Sequence, residues 1–203
     1  MALMSLGFSF VIYAVFLNWS DLTRGPLGLP GIPRPNFFGF DFSDNGSFFL
    51  LVFAIALCSY LFIHRLTNSP FGKALEAGRD DELAARSLGK NTYRLKSISL
   101  VTSALFAGIA GSLFASYISF IDPSSFIFSN LIPILLIVVI GGIASLPGTI
   151  LATVAIVLLP ELFRFAALPS EILGPVRQIF YALALILIIY FKPRGFFGKI
   201  DLE

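Results

Sequence analysis

The sequence predicts an all-α, polytopic membrane protein of about six transmembrane helices. Three observations carry that prediction. Of the 203 residues, 57% are hydrophobic and only 13% are charged, against about 25% charged in an ordinary soluble domain. The mean hydropathy is +0.88, and the charges gather into a few stretches, so there is too little polar surface to clothe a water-soluble globule of this size. Between those stretches lie long apolar runs, with none of the period-two alternation that a membrane barrel needs.

A helix rises about 1.5 Å per residue and the hydrocarbon core is ~30 Å thick, so a crossing needs roughly 17 to 25 mostly apolar residues. The first candidate is Ala2 to Leu17. Nothing in Met1 to Ser20 is charged, and without a basic n-region the segment reads as a membrane span whose beginning is cut away, not as a secretory signal. From Thr23 to Phe42 the chain is rich in Pro and Gly, which predicts an irregular loop, either a linker or a docking rim for an external partner. Asn45 to Ile63 and Ser97 to Ile121 are uncharged and read as two further spans.

Pro123 to Pro160 is uncharged over 38 residues. As one helix it would reach roughly 57 Å, nearly twice the hydrocarbon thickness, so it must fold back. Gly141-Gly142 and Pro147-Gly148 supply the turn, which predicts a hairpin of two short spans, Phe126 to Ile140 and Thr149 to Phe163. The last span is Val176 to Phe191, with Arg177 able to snorkel at one end and Lys192-Pro193-Arg194 closing the other.

Each span reverses the side of the next loop. Placing Arg65 to Lys96 and the Lys192 to Glu203 tail inside collects ten of the fourteen basic residues there, as the positive-inside rule requires. The expected arrangement is multi-pass, with a cytoplasmic C-terminus.

Several function classes are excluded. A net charge of +2 leaves no basic face for nucleic acid. Cys58 is the only cysteine, so there is no internal disulfide and no CxxC motif, and His64 has no neighbouring ligand for a metal. The spans hold essentially no ionisable residue of the kind a proton relay or voltage sensor buries. Gly89-Lys90 is followed by Asn91 and lacks the upstream glycine of a phosphate-binding P-loop. Energy for active transport therefore has to enter through a partner; a passive channel, a secondary carrier or an accessory scaffold subunit are the other classes compatible with such a chain.

The polar stretch Asn68 to Lys96 carries the most information. Ser69 followed by Pro70 predicts a capped helix through about Ala77, interrupted by Gly78. Asp80-Asp81-Glu82 offers a cap and negative charge to a second helix of about eight residues, stopped by Gly89. Leu83, Ala84 and Leu88 form its packing side, and Glu82, Arg86 and Lys90 a charged side. A helix this short needs something to hold it. In the following span Ala104, Gly108, Ser112 and Ser116 recur every four residues, as do Ala107, Gly111 and Ala115, a small-residue stripe suited to close helix packing. Ser99, Thr102, Ser103, Asn130, Thr149 and Thr153 are candidates for a weakly polar path or for bonds to their own helix backbone.

Residues 69–77 and 79–89, SPFGKALEA and RDDELAARSLG, resemble the cytoplasmic coupling loop of branched-chain amino acid ABC transporter permeases. Ala84-Ala85, three residues, then Gly89 is similar to the importer pattern EAAxxxG, with Leu83 where that pattern has Glu. Gly28 to Pro35 is similar to the family's outer GIPRP segment, residues 107–111 to its small-residue helix, Val139 to Gly148 to its glycine turn, and Lys192 to Gly198 to its tail.

The resemblance implies a single permease domain over residues 1–203, N-terminally shorter than the family's members, with a coupling loop at 68–96. It implies two cytoplasmic ATPases, a second permease, an extracytoplasmic solute-binding protein and surrounding lipid as partners. ATP and Mg would be used by the ATPases, so the chain is expected to hold no cofactor and to be no enzyme. Asp80, Glu82, Ala84, Ala85, Arg86 and Gly89 are the implied ATPase-docking residues, and Ala104, Gly108, Gly111 and Ser112 the helix-packing ones.

Overall fold

The computed structural model describes residues 2–37, 40–126, 131–142, 144–165 and 170–191. They belong to two compact units, Met1–Pro123 and Ser124–Glu203.

In the first unit, helix α1 (Ala2–Asn18) leads through a one-turn helix α2 (Ser20–Thr23) and a 3-10 turn at Gly25–Leu27 into short strands β1 (Leu29–Pro30), β2 (Asn36–Phe37) and β3 (Phe40–Asp41). Helices α3 (Asn45–Thr67), α4 (Pro70–Asp80), α5 (Glu82–Ser87) and α6 (Thr92–Ile118) follow, and then strand β4 (Phe120–Ile121). Helix α3 begins where the Asp44 carboxylate accepts the Gly46 N–H at 2.9 Å. Helix α6 begins at the Asn91 side chain, which accepts the Arg94 N–H at 3.0 Å, and ends at Ser119 in the left-handed region. It therefore starts five residues before the expected Ser97 and takes in the polar residues Thr92 to Lys96.

Helices α3 and α6 lie antiparallel. Phe48 stacks on Tyr117 with ring centroids 6.2 Å apart, and Phe62 meets Phe106 at 5.6 Å. Among the described residues these are the two helices long and apolar enough to cross a membrane; the other apolar helical stretches, Gly7–Asn18, Leu131–Gly141, Leu146–Leu158 and Gly174–Ile188, are shorter. Only Phe48 on α3, and Thr92 and Ala115 on α6, are buried. So much uncovered apolar surface needs lipid or protein against it.

The Thr23 to Phe42 segment is more regular than its Pro and Gly content predicts. Strand β1 pairs antiparallel with β4, Leu29 opposite Ile121 and Pro30 opposite Phe120. The N–H groups of Gly31 and Ile32 both donate to the Ser119 carbonyl, at 2.9 and 3.3 Å. Proline is tolerated here because a two-stranded ribbon has only edges. Arg34 fastens the same segment to the start of α3: it donates to the Ser43 carbonyl, to Asn45 Oδ1 at 2.7 Å, and lies over the Phe48 ring at 5.1 Å. The all-helical expectation is thus modified by two small ribbons, β1–β4 and β2–β3.

In the second unit, α7 (Leu131–Gly141), α8 (Leu146–Phe165) and α9 (Ser170–Phe191) pack round Leu136, Ile156 and Tyr181. The fold-back falls between Gly141 and Leu146, as the sequence predicts. Ser145 starts α8, its Oγ accepting the Gly148 N–H at 3.3 Å and its carbonyl the Thr149 N–H at 3.0 Å. A Cβ on Gly141 would sit 2.6 Å from the Thr149 backbone, so a glycine is what lets the two helices meet here. Helix α9 starts six residues before the expected Val176 and runs through Pro175, which forfeits one backbone bond so near the helix start. Asn130 and the Lys192 to Gly198 tail motif lie outside the described residues.

Candidate functional site

The polar insert between α3 and α6 is built from its caps. Ser69 Oγ accepts the Gly72 N–H at 3.4 Å, and Pro70 occupies the first helical position, where its missing N–H costs nothing. Helix α4 does not stop at Gly78; it continues to Asp80. A glycine inside a helix costs only about 1 kcal/mol, and a side chain at Gly78 would reach Thr92, 3.6 Å from its Cβ. The break comes at Asp81, whose backbone is extended and whose carboxylate accepts the N–H groups of Leu83 and Ala84 at 2.9 and 3.0 Å.

Helix α5 then runs six residues, not eight. It ends in a Schellman pair, Lys90 N–H to the Ala85 carbonyl at 3.1 Å and Gly89 N–H to the Arg86 carbonyl at 2.9 Å, with Gly89 at φ +76°. The packing side also differs from expectation. Ala85 is the buried residue of α5, while Leu83 and Leu88 are 76% and 80% exposed and Ala84 is exposed too. The small side chain at 85 lets α5 lie close on α4, which turns the two leucines outward.

What holds so short a helix is a charged clamp onto the first turns of α6. Glu82 Oε1 accepts from Arg86 Nη2 at 2.7 Å and from the Thr92 hydroxyl at 3.0 Å; Glu82 Oε2 accepts from Lys96 Nζ at 2.6 Å. Arg86 Nε also donates to Thr92 Oγ1 at 2.9 Å. Thr92 is 3% exposed, so its hydroxyl is fully committed to these two partners. The hydrogen bond from Lys96, then that from Thr92, with the charges of Lys96 and Arg86 behind them, pull the Glu82 carboxyl down from its ordinary 4.5 to about 2. Of the expected charge row the Glu82–Arg86 pair forms, but Lys90 is not in it; Lys96 takes that place from one helix further on.

The other expected site residues separate. Asp80 stands outside the clamp, accepting Arg79 Nε and Nη2 at 2.9 and 2.7 Å. Beside α5 runs a groove of ≈ 500 Å³ lined by Asn68 at the end of α3, by Pro70, Lys73, Ala74 and Ala77 of α4, and by Ala85, Leu88 and Lys90. On α6, Ala104, Gly108 and Ser112 are exposed, and nothing described lies within 4 Å of a Cβ placed on Gly108 or Gly111. Among the described residues the stripe is open from Ala104 to Ser112, while Ala115 at its far end is buried. Thr102, Ser103, Thr149 and Thr153 each donate to a carbonyl of their own chain one turn back, at 2.7 to 3.0 Å. Sequence reasoning missed Thr92 and Lys96; the signal available was a threonine and a lysine in the first two turns of a helix whose one other charged residue is Arg94.

Residues 1–191 match the model of the family described as branched-chain amino acid transport system / permease component. The chain belongs to that family. The chain is 34% identical over 219 aligned residues to the high-affinity branched-chain amino acid transport system permease protein LivM of Salmonella typhimurium, and equally to LivM of Escherichia coli, covering 96% of this chain and 50% of each relative. A probable branched-chain amino acid transport permease protein LivM of Methanocaldococcus jannaschii is 28% identical over 182 residues, covering 83% of this chain and 52% of that one. The chain thus spans about half the length of these curated relatives. No solved structure matches it.

Proposed function

We propose that this chain is membrane-spanning part of a permease subunit of an ATP-driven importer for branched-chain amino acids or related small solutes, and that α5 is the helix on which a partner ATPase seats. The relatives' names supply the solute class. In this reading α1, α3, α6, α7, α8 and α9 are about six spans in a prokaryotic inner membrane, and α4, α5 and the C-terminus are cytoplasmic. Two cytoplasmic ATPases using ATP and Mg, a second permease and an extracytoplasmic solute-binding protein complete the assembly.

The single observation that carries the reading is the Glu82 clamp. Helix α5 is too short to stand alone in water, yet Lys96, Thr92 and Arg86 tie it to the end of a 27-residue helix. A push on α5 is therefore delivered to α6, and a rigid helix transmits it along its length, changing how the spans pack and which side of the membrane the solute path opens to. The surface offered to the ATPase is Asp80, Glu82, Ala84, Arg86 and Gly89, with Ala85 behind them as the contact to α4.

Arg86→Glu tests this in the assembled complex. The ATPase subunit is expected to be lost on purification and solute uptake with it. The triple swap Glu82→Lys, Arg86→Glu and Lys96→Glu restores both opposite-charge pairs of the clamp, so persistent loss in it assigns the defect to docking. Solute movement through the purified permease in vesicles without any ATPase would overturn the proposal in favour of a channel or carrier.

A further inference from the structure

At the end away from the polar insert, α3 and α6 are joined by a closed ring of contacts. Just past α6, the Ser119 carbonyl accepts the N–H groups of Gly31 and Ile32, and β1 continues that seam along β4. Two residues after Ile32, Arg34 donates to the Ser43 carbonyl and to Asn45 Oδ1 at the start of α3, and covers the Phe48 ring. Phe48 in turn stacks on Tyr117, two residues before Ser119. The ring therefore runs from α6 through residues 31–34 to α3 and back to α6. The opposite ends are joined by the insert: Ser69 Oγ donates to the Leu66 carbonyl of α3 at 2.6 Å, and Glu82 accepts from Thr92 and Lys96 of α6.

The ring is built to stay shut. Pro30, Pro33 and Pro35 fix their own φ, so the segment gains less conformational entropy by coming loose than an ordinary loop would. Gly28 brings backbone against backbone: a Cβ there would lie 2.6 Å from the Ile121 carbonyl oxygen and 2.9 Å from the Phe120 ring. Between the two end ties the helices touch at two levels, Phe48 on Tyr117 and Phe62 on Phe106. Phe48 to Phe62 is about 21 Å along α3, and Tyr117 to Phe106 about 17 Å along α6, so the ring contacts bridge matching stretches of the two helices. An axial slip of α6 past α3 would strain the seam at one end and the insert at the other at once.

We infer that α3 and α6 form one frame that transport does not take apart, with Gly28 to Arg34 as its strap. Solute passage re-packs this frame against other helices as a rigid body, and a displacement of α6 at the insert reappears at the strap. The ribbon is then a fastener and not a gate: it moves with α6 and does not open. This rests on the reading of the chain as a transporter whose helices re-pack, and is independent of what seats on α5.

The test uses the complete permease in its assembled transporter, with Cys58→Ser and the pair Leu29→Cys and Ile121→Cys. Directly opposed antiparallel residues stand about 4.5–5.5 Å apart at Cα, within the span of a disulfide. Oxidation is expected to cross-link the pair at the same rate with and without ATP, and the cross-linked transporter to take up solute as fast as the reduced one. Uptake abolished by oxidation and restored by a reductant, or cross-linking that slows when the transporter is held with ATP and vanadate, makes the ribbon a gate and overturns the frame. Gly28→Val in the same background drives a side chain into the Ile121 carbonyl; it is expected to slow cross-linking and uptake together, and the disulfide, once formed, to restore uptake. Slowed cross-linking with undiminished uptake shows that the strap is not needed and also overturns the frame. Should Gly28→Val fail to accumulate in the membrane, the oxidised pair alone decides. Uptake by the reduced pair without any ATPase removes the importer reading, and leaves the frame standing if oxidation still spares that uptake.

Discussion

The hairpin of the second unit closes on one residue, and its replacement gives a clean steric experiment. Gly141 is the last residue of α7, and it is absent from the residues of positive φ, so alanine meets no backbone penalty there. A Cβ would lie 2.6 Å from both Thr149 Cα and N, and 2.7 Å from Gly148 C. Ordinary contacts between non-bonded carbons fall at about 3.5–4.0 Å, so α7 and α8 must part by about 1 Å. All three atoms are backbone and cannot rotate away, which places the cost of Gly141→Ala within the overpacking range of about 1–3 kcal/mol. Gly108→Ala is the internal control, because it meets nothing within 4 Å and gains up to about 1 kcal/mol of helix propensity. The two variants should differ by about 1–4 kcal/mol, which is roughly 2–16 °C in melting midpoint at about 2–4 °C per kcal/mol. The assay is thermal unfolding of the purified permease in one detergent at one scan rate, followed by far-UV circular dichroism. A Gly141→Ala protein that melts at or above Gly108→Ala would refute the close approach.

Three further outcomes are expected. Glu82 has its carboxyl lowered from 4.5 to about 2 in the folded loop, so its contribution is complete above the unfolded value and is lost as pH falls towards about 2; amide protection over residues 82–88, measured relative to the intrinsic exchange rate at each pH, should be unchanged between pH 7 and 5, fall below pH 4.5, and already be lower at pH 7 in Glu82→Gln. Gly89 sits at φ +76° in open space, so Gly89→Ala should loosen the end of α5 by about 1 kcal/mol through backbone conformation alone, with Gly89→Asn milder, both read as faster exchange at the Lys90 amide. Arg34→Lys should fail to rescue what Arg34→Ala loses, because one ammonium cannot span the Ser43 carbonyl, Asn45 Oδ1 and the Phe48 ring together; faster proteolysis within residues 24–37 of both variants is the readout.

The apolar helices and the fold-back were legible in the sequence because both follow from length. Thirty-eight uncharged residues cannot cross once, and Gly141, Gly142 and Pro147 mark the place where they turn. The caps Ser69, Asp81 and Asn91 follow local rules within three residues and were equally open to reading, except that Asn91 began its helix earlier than the apolar pattern did. The clamp was only half visible. Glu82 and Arg86 are four apart on one helix, but Thr92 and Lys96 reach Glu82 from ten and fourteen residues away across the Gly89 turn, where periodicity carries no information. Burial was misread for a related reason: Leu83 and Leu88 outrank Ala85 on any apolar scale, yet proximity to α4 favours the smallest side chain. The pairing of Leu29 with Ile121 has no local signal at all.

That last pairing imposes an order on biosynthesis. Leu29 emerges from the ribosome some ninety residues before Ile121, its partner, and chains form N-terminal structure first. The whole of α3, the polar insert and α6 must be made before the ribbon can zip, so this segment waits, unsatisfied, for a partner some ninety residues further along the chain. A nascent chain halted short of Phe120 would carry an open strand edge, the kind of surface that quality-control machinery grips.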